Sequence, residues 1–146
     1  MLATMTKHNP PMTPTLLTIS AACLFDEAGR LLLVRKRDTR AFMLPGGKAE
    51  PGEDALAALT RELAEELNLS LAAESLRPLG RFRALAANEP DTWIEASVFH
   101  APLPHAVEAA AELEELLWLA PQDTPPESLA PLLREQVLPL LWPLEG

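Results

Sequence analysis

"LPGGKAEPGEDALAALTRELAEELNL", residues 44–69, decides how this chain is read. The first part is turn sequence, carrying Pro45, Gly46, Gly47, Pro51 and Gly52, and the rest is helical. Pro51 is tolerated at a helix entrance, and Glu53 and Asp54 complement the positive end of a helix dipole. The helix is therefore expected from Gly52–Glu53 to about Asn68, a residue that accepts the left-handed conformation found past many helix ends. At about 100° per residue, Leu56, Leu59, Leu63 and Leu67 share one narrow arc, the core-facing stripe. Glu62 and Glu66 border that arc, Glu65 lies further round, and Ala55 and Ala58 leave room beside them.

Like charges at that spacing oppose one another. Taken alone, the three glutamates favour a solvated acidic face. Their other reading is a hard-oxygen cluster suited to Mg²⁺ or Mn²⁺, which prefer carboxylate, carbonyl and water ligands. The surroundings shift the balance toward the second. The glycines let backbone approach a ligand closely. Arg35, Lys36, Arg37, Arg40 and Lys48 form a basic group beside the loop in an otherwise acidic chain. Metal-binding acids next to cations are what a polyphosphate needs.

The chain has 146 residues and a net charge of −9, with a pI near 4.8. That balance argues against nucleic acid or an anionic membrane as partner. The single cysteine, Cys23, lies in an apolar strand-like run, which excludes an intrachain disulfide and a Cys-based zinc site. No apolar stretch approaches the roughly 18–20 residues of a membrane span. "MLATMTKHNPPMTP" lacks the continuous apolar core of a signal peptide, so a cytoplasmic protein is expected. Residues 1–13 are expected to form a flexible leader and residues 14–146 a single domain.

"TLLTISAACLF" (residues 15–25) and "RLLLVRKR" read as two strands of a hairpin joined by "DEAG". On the second strand Arg35 and Arg37 share a face and Lys36 takes the other. "LGRFRAL", "DTWIEASVFHA" and "ELLWLA" read as further strands, and residues 128–141 as a final helix broken by prolines. Strands flank one strongly helical block, so an α/β (α+β) fold with a mixed sheet and helices packed on it is expected.

The block Gly47-x5-Glu53-x7-Arg61-Glu62-Leu63-x-Glu65-Glu66-x-Asn68-Leu69 resembles the Nudix box, G-x5-E-x7-R-E-U-x-E-E-x-G-U, where U is bulky and apolar. Every specified position matches except the late Gly, which is Asn68 here. The element order is also similar to the Nudix α/β/α sandwich. The resemblance implies an enzyme, a Nudix hydrolase that cleaves the pyrophosphate bond of a nucleoside diphosphate linked to a group X, with Mg²⁺ as cofactor and Mn²⁺ a possible substitute. It implies that Glu62, Glu65 and Glu66 are catalytic and bind metal, that the Gly46 carbonyl is a further ligand, and that Glu62 is first choice to deprotonate the attacking water. Gly47 is structural in the box, and Glu53 and Arg61 form an ion pair fixing loop against helix. Lys48 and the face of Arg35 and Arg37 are candidates for phosphate contact.

Family members often carry one more acidic ligand outside the box, and here Glu112 or Glu115 is favoured over Glu95, with Glu115 taken into the metal set. Trp93 and Phe82 are considered for base stacking, although packing is the commoner role of such residues. The chain has no Tyr, and Pro78 and Pro90 do not fall where many ADP-ribose hydrolases carry proline. The resemblance therefore leans toward small MutT-like members acting on nucleoside triphosphates. Hydrolysis of nucleotide sugars or ADP-ribose, and a nucleotide sensor without hydrolysis, are the alternatives. The partner expected is a small nucleotide, with a homodimer left open.

Overall fold

The computed structural model describes residues 15–142. The leader expected over residues 1–13 lies outside them. β1 (Thr15–Phe25) and β2 (Leu31–Lys36) form the hairpin that the two apolar runs predict. Asp26 holds its turn, accepting hydrogen bonds from the N–H groups of Ala28 at 3.0 Å and Arg30 at 2.8 Å.

The Pro-Gly-Gly segment, read from sequence as a turn, contains a short strand. In β3 (Gly46–Lys48), Gly46, Gly47 and Lys48 lie opposite Ala21, Ser20 and Ile19 of β1. Three residues, two of them glycine, offer no alternating pattern by which a strand could be read. Gly46 sits at φ 144°, where a Cβ would collide with the Ser20 carbonyl oxygen, so the pairing depends on glycine.

The chain next turns through Pro51–Gly52 into α1 (Ala55–Leu67). The helix begins two to three residues later than its acidic entrance suggests. Asp54 stays extended as the N-cap and accepts from the Ala57 N–H at 2.8 Å, which leaves Glu53 free for another partner. At the far end Asn68 adopts φ 51° and ψ 36°, the left-handed conformation. Its N–H donates to Ala64 at 3.1 Å and that of Leu69 to Leu63 at 3.2 Å, closing the helix as a glycine would.

β4 (Arg77–Leu85), β5 (Thr92–Pro102) and β6 (Leu113–Leu119) complete a sheet ordered β4-β5-β1-β2-β6, with β3 attached to β1. β1 and β5 run parallel and the other pairs antiparallel, so the sheet is mixed. Alternation along the strands divides the core between two faces. Ala22, Leu24, Leu32, Val34 and Phe99 meet Leu59, Leu63 and Leu67 of α1. Ala21, Cys23, Leu31, Leu33 and Val98 meet Leu132, Leu133 and Val137 of the C-terminal helical segment. The result is an α/β/α sandwich. Leu63 is fully buried, and truncating such a side chain to alanine costs about 2–5 kcal/mol.

The C-terminal helical segment spans 131–141, with a π-helical stretch (Leu133–Val137) running into α2 (Leu138–Leu141). It starts after residue 128 because the preceding residues pair with Phe42 instead. The Phe42 N–H donates to Ser128, and the Ala130 N–H to Phe42. Pro139 cannot donate to the helical ladder, and the widened turns lie just before it. Among the described residues, no helix is long and apolar enough to cross a membrane.

Candidate active site

Arg61, on the outer side of α1, ties the loop to the helix. Its Nε lies 2.7 Å from Glu53 Oε2 and its Nη2 2.9 Å from Glu53 Oε1, a bidentate pair. Nη2 also donates to the Lys48 carbonyl at 3.0 Å, and Glu53 Oε1 accepts from the Glu50 N–H at 2.8 Å. These bonds, the Arg61 guanidinium first among them, hold the Glu53 carboxyl down to about 2.

Arg61 also reaches the expected metal ligands. Its Nη1 is 3.0 Å from Glu62 Oε2 and 3.5 Å from Glu65 Oε2. Glu66 faces inward instead, is only 2% exposed, and accepts from the Gly46 N–H at 3.1 Å. Burial pushes its carboxyl up to about 8; the Gly46 N–H and Lys36 oppose the shift, while Glu62 and Glu112 add to it. Gly47 makes the same close approach to Glu62, for a Cβ there would lie 2.5 Å from the Glu62 Cδ. Both loop glycines are therefore pressed against helix carboxylates. Among the described residues no three His, Cys, Asp or Glu side chains stand gathered as a finished cage, since Arg61 draws Glu62 and Glu65 toward itself. The donors still fit a hard divalent cation: the carboxylates of Glu62 and Glu66 crowd the glycine strand, with a cradle that a Cβ would fill.

The other side of β3 opens into a cavity of about 390 Å³. Gly46, Gly47 and Lys48 line it, so the glycine strand is a wall shared by the carboxylates and the cavity. Near this wall stand Ser20, Lys36 and Thr39. The remaining lining is largely aliphatic, with Leu17, Ile19, Ile94, Leu85, Leu132 and Leu133, and with Asn88 and Glu89 from the β4–β5 loop.

The two arginines expected to meet phosphate do not line the cavity. Arg35 Nε donates to Glu115 Oε1 at 3.0 Å and its Nη1 to the Thr39 carbonyl at 2.7 Å. Arg37 donates to the Ala111 carbonyl and lies 3.9 Å from Glu114. Strand alternation turns both toward the acidic side chains of the β6 region and turns Lys36 into the cavity. Alternation separates the two arginines from Lys36 but does not by itself say which of the two faces meets the cavity. Glu115 is correspondingly half exposed and held by Arg35, cross-strand from it. Glu112 is the acidic residue from this region that acts on Glu66, and it lies 3.7 Å from Lys36 Nζ. Glu95 pairs loosely with Arg81 and Arg83. Neither aromatic considered for stacking lines the cavity: Phe82 packs in the core, and Trp93 is exposed.

A carboxylate-bearing helix thus lies behind a glycine strand that also lines a cavity, with Lys36 and Lys48 set among largely aliphatic side chains. The NUDIX domain family model matches residues 15–141, and the chain belongs to the Nudix family. A Bacillus subtilis (strain 168) protein named "Putative 8-oxo-dGTP diphosphatase" is 39% identical over 49 residues, a stretch covering 34% of this chain and 33% of that protein. The alignment thus spans about a third of each. Among solved structures, the MutT NUDIX hydrolase from Burkholderia pseudomallei superposes with a TM-score of 0.66 at 24% identity, covering 78% of this chain and 90% of that one. A MutT protein from Methanosarcina mazei Go1 gives 0.62 at 22% identity, over 75% and 80% of the two chains. At these identities the two structures speak for the fold.

Proposed function

We propose that the protein is a Mg²⁺-dependent pyrophosphohydrolase of nucleoside triphosphates or closely related nucleotides, with Mn²⁺ able to substitute. The observation that carries this reading is the shared wall, Gly46–Lys48, with acid on one side and a lysine-flanked cavity on the other. Glu62, Glu65, Glu66 and the Gly46 carbonyl would hold the ion, with Glu112 replacing Glu115 as the ligand from outside the helix. When bound, a divalent ion neutralises phosphate oxygens and acidifies a bound water.

The chain's own residues do the rest. Lys36 and Lys48 hold the polyphosphate against the glycine strand. Glu62 accepts the proton of the attacking water as the new P–O bond forms and the anhydride P–O bond breaks. Arg61 and Glu53 keep the loop at a fixed height over the helix. The aliphatic end encloses the base without aromatic stacking. That lining offers few partners to the hydroxyls of a second sugar, which favours triphosphates over nucleotide sugars or ADP-ribose. The retained box carboxylates favour hydrolysis over mere sensing, and a cytoplasmic location accords with a nucleotide substrate.

The test is a panel of nucleoside triphosphates, nucleotide sugars and ADP-ribose incubated with the protein and Mg²⁺, reading phosphate and pyrophosphate release. Release from triphosphates that EDTA abolishes is expected. No turnover on any member, with EDTA making no difference, overturns the reading.

A further inference from the structure

The cavity takes its walls from segments far apart in the chain. The sheet contributes Leu17, Ile19 and Ile94, and the C-terminal helical segment packed on that face contributes Leu132 and Leu133. The loop that follows β4, from Leu85 to Glu89, lines it as well. Before it becomes helical, the C-terminal segment is held by backbone, since Phe42 bonds both Ser128 and Ala130. Beyond that point, among the described residues, one hydrogen bond joins it to a strand: Gln136 Nε2 donates to the Arg83 carbonyl at 2.6 Å. That carbonyl is available because β4 pairs with β5 alone and has an open edge. The Ala86 N–H donates to the Thr92 carbonyl, so residues 86–92 and, by alternation, 84–94 are the hydrogen-bonded pairs. Arg83, opposite Glu95, therefore turns its backbone groups away from β5 and toward that edge. Gln136 itself lies in the π-helical stretch, where the Leu138 N–H reaches five residues back to the Leu133 carbonyl. Such widened turns are rare and recur at functional sites.

We propose, on the reading of this cavity as a nucleotide site, that Gln136 is a positioning residue for the base. Its bond to Arg83 sets the spacing between the helical wall and the β4–β5 loop, and so the width of the slot that grips the base. Arg83 stands two residues before Leu85, so this one bond ties the wall carrying Leu132 and Leu133 to the strand that leads into the loop. Among the described residues no aromatic ring lines the cavity, so the base is held by close contact with aliphatic side chains. Dispersion is steep in distance: a gap of roughly 0.5–1 Å forfeits about a quarter to a half of each contact. A wall released by a fraction of an ångström therefore loosens the base. The phosphate end stands on other elements, Lys36 on β2 and Gly46–Lys48 in β3, so the tie acts on the base and not on the phosphates.

Gln136→Met keeps the shape of the side chain and removes the donor, and Gln136→Lys supplies a donor again. Steady-state kinetics with Mg²⁺ are run on the nucleoside triphosphate that wild type turns over best. Gln136→Met should show KM raised about 5-fold with kcat within about 2-fold of wild type, the signature of lost binding rather than lost chemistry. Gln136→Lys should bring KM back to within about 2-fold of wild type. Inorganic triphosphate, which has the phosphates and no base, should inhibit all three proteins equally to within about 2-fold. Thermal melts establish that each variant is folded at the assay temperature. A lower melting temperature in Gln136→Met with KM unmoved would make the bond a tie of the fold alone and overturn the proposal. So would weaker inhibition by inorganic triphosphate that matches the rise in KM, or a Gln136→Lys KM as high as that of Gln136→Met. Wild-type turnover with no change of KM in Gln136→Met overturns the role of Gln136 and leaves the reaction standing. A wild type that turns over no nucleoside triphosphate overturns the reaction, and the role of Gln136 with it.

Discussion

The Glu62 carboxyl group occupies the space that a side chain on residue 47 would need: a Cβ on Gly47 would lie 2.5 Å from Glu62 Cδ and 2.7 Å from its Oε2. The obstructing atoms are the end of a side chain, which can swing away. Gly47→Ala should therefore cost less than about 1 kcal/mol of stability while displacing the carboxylate. If Glu62 takes the proton of the attacking water, kcat should fall about 100-fold. Gly46→Ala is a different case, since it meets the backbone of Ser20 at φ 144° and should destabilise by about 2–4 kcal/mol. Thermal melts and kcat for the two variants separate the effects. A Gly47→Ala enzyme with wild-type kcat would remove Glu62 from the chemistry.

Lys36 and its neighbours make opposite predictions for substrate binding. Lys36 lines the cavity, while Arg35 and Arg37 spend their charge on Glu115 and Glu114. Lys36→Ala should raise KM for a nucleoside triphosphate about 10-fold, the loss of one charge-assisted phosphate contact. Arg35→Ala and Arg37→Ala should change KM less than about 2-fold, as expected for exposed ion pairs worth under about 1 kcal/mol. Steady-state kinetics on the three variants decide between the two faces of β2. A KM effect confined to the arginines would return the phosphate site to their face.

How far the sequence reveals this arrangement depends on which interactions are local. The α1 stripe and its acid border lie within one short block and follow from helical spacing, and the Glu53–Arg61 pair follows from the resemblance to the box. The apolar run of β1 has its observed bounds, while that of β2 is one residue shorter at each end than its sequence suggests. β3 escapes because pairing with β1, 25–29 residues away, makes Gly46–Lys48 a strand, and nothing in those three residues shows it. The choice between Lys36 and the flanking arginines escapes for the same reason. Alternation splits them between two faces, but only the position of β6, and the acids it carries, says which face is which. Glu112 and Glu115 are separated by where β6 begins: Glu112 precedes it and acts on Glu66, whereas Glu115 lies within it and is claimed by Arg35.

Asn68 is the one departure from the box, and its conformation sets the outcome of changing it. At φ 51° it is already in the left-handed region, where glycine is free of strain and most other residues are not. Asn68→Gly should leave stability within about 0.5 kcal/mol of wild type, and Asn68→Ala should lower it by about 1 kcal/mol. Urea denaturation of the three proteins measures both. A loss in Asn68→Gly as large as that in Asn68→Ala would mean that the amide side chain, not the backbone conformation, holds this helix end.

The Glu53–Arg61 pair should be visible as an acid-sensitive share of stability. The folded pKa of Glu53 is lowered from 4.5 to about 2, so the folded state binds its proton less readily than the unfolded chain. Stability drawn from this shift is fully present above pH 4.5 and is lost as pH falls through about 2. Glu53→Gln keeps the shape and removes the charge. Wild type should therefore exceed it by a constant margin above pH 5, and the margin should shrink steadily below 4.5 and vanish near 2. Urea midpoints of both proteins across that range measure the margin directly. A margin that persists at pH 2 would mean that hydrogen bonding to the neutral side chain, rather than the ion pair with Arg61, fixes the loop against α1.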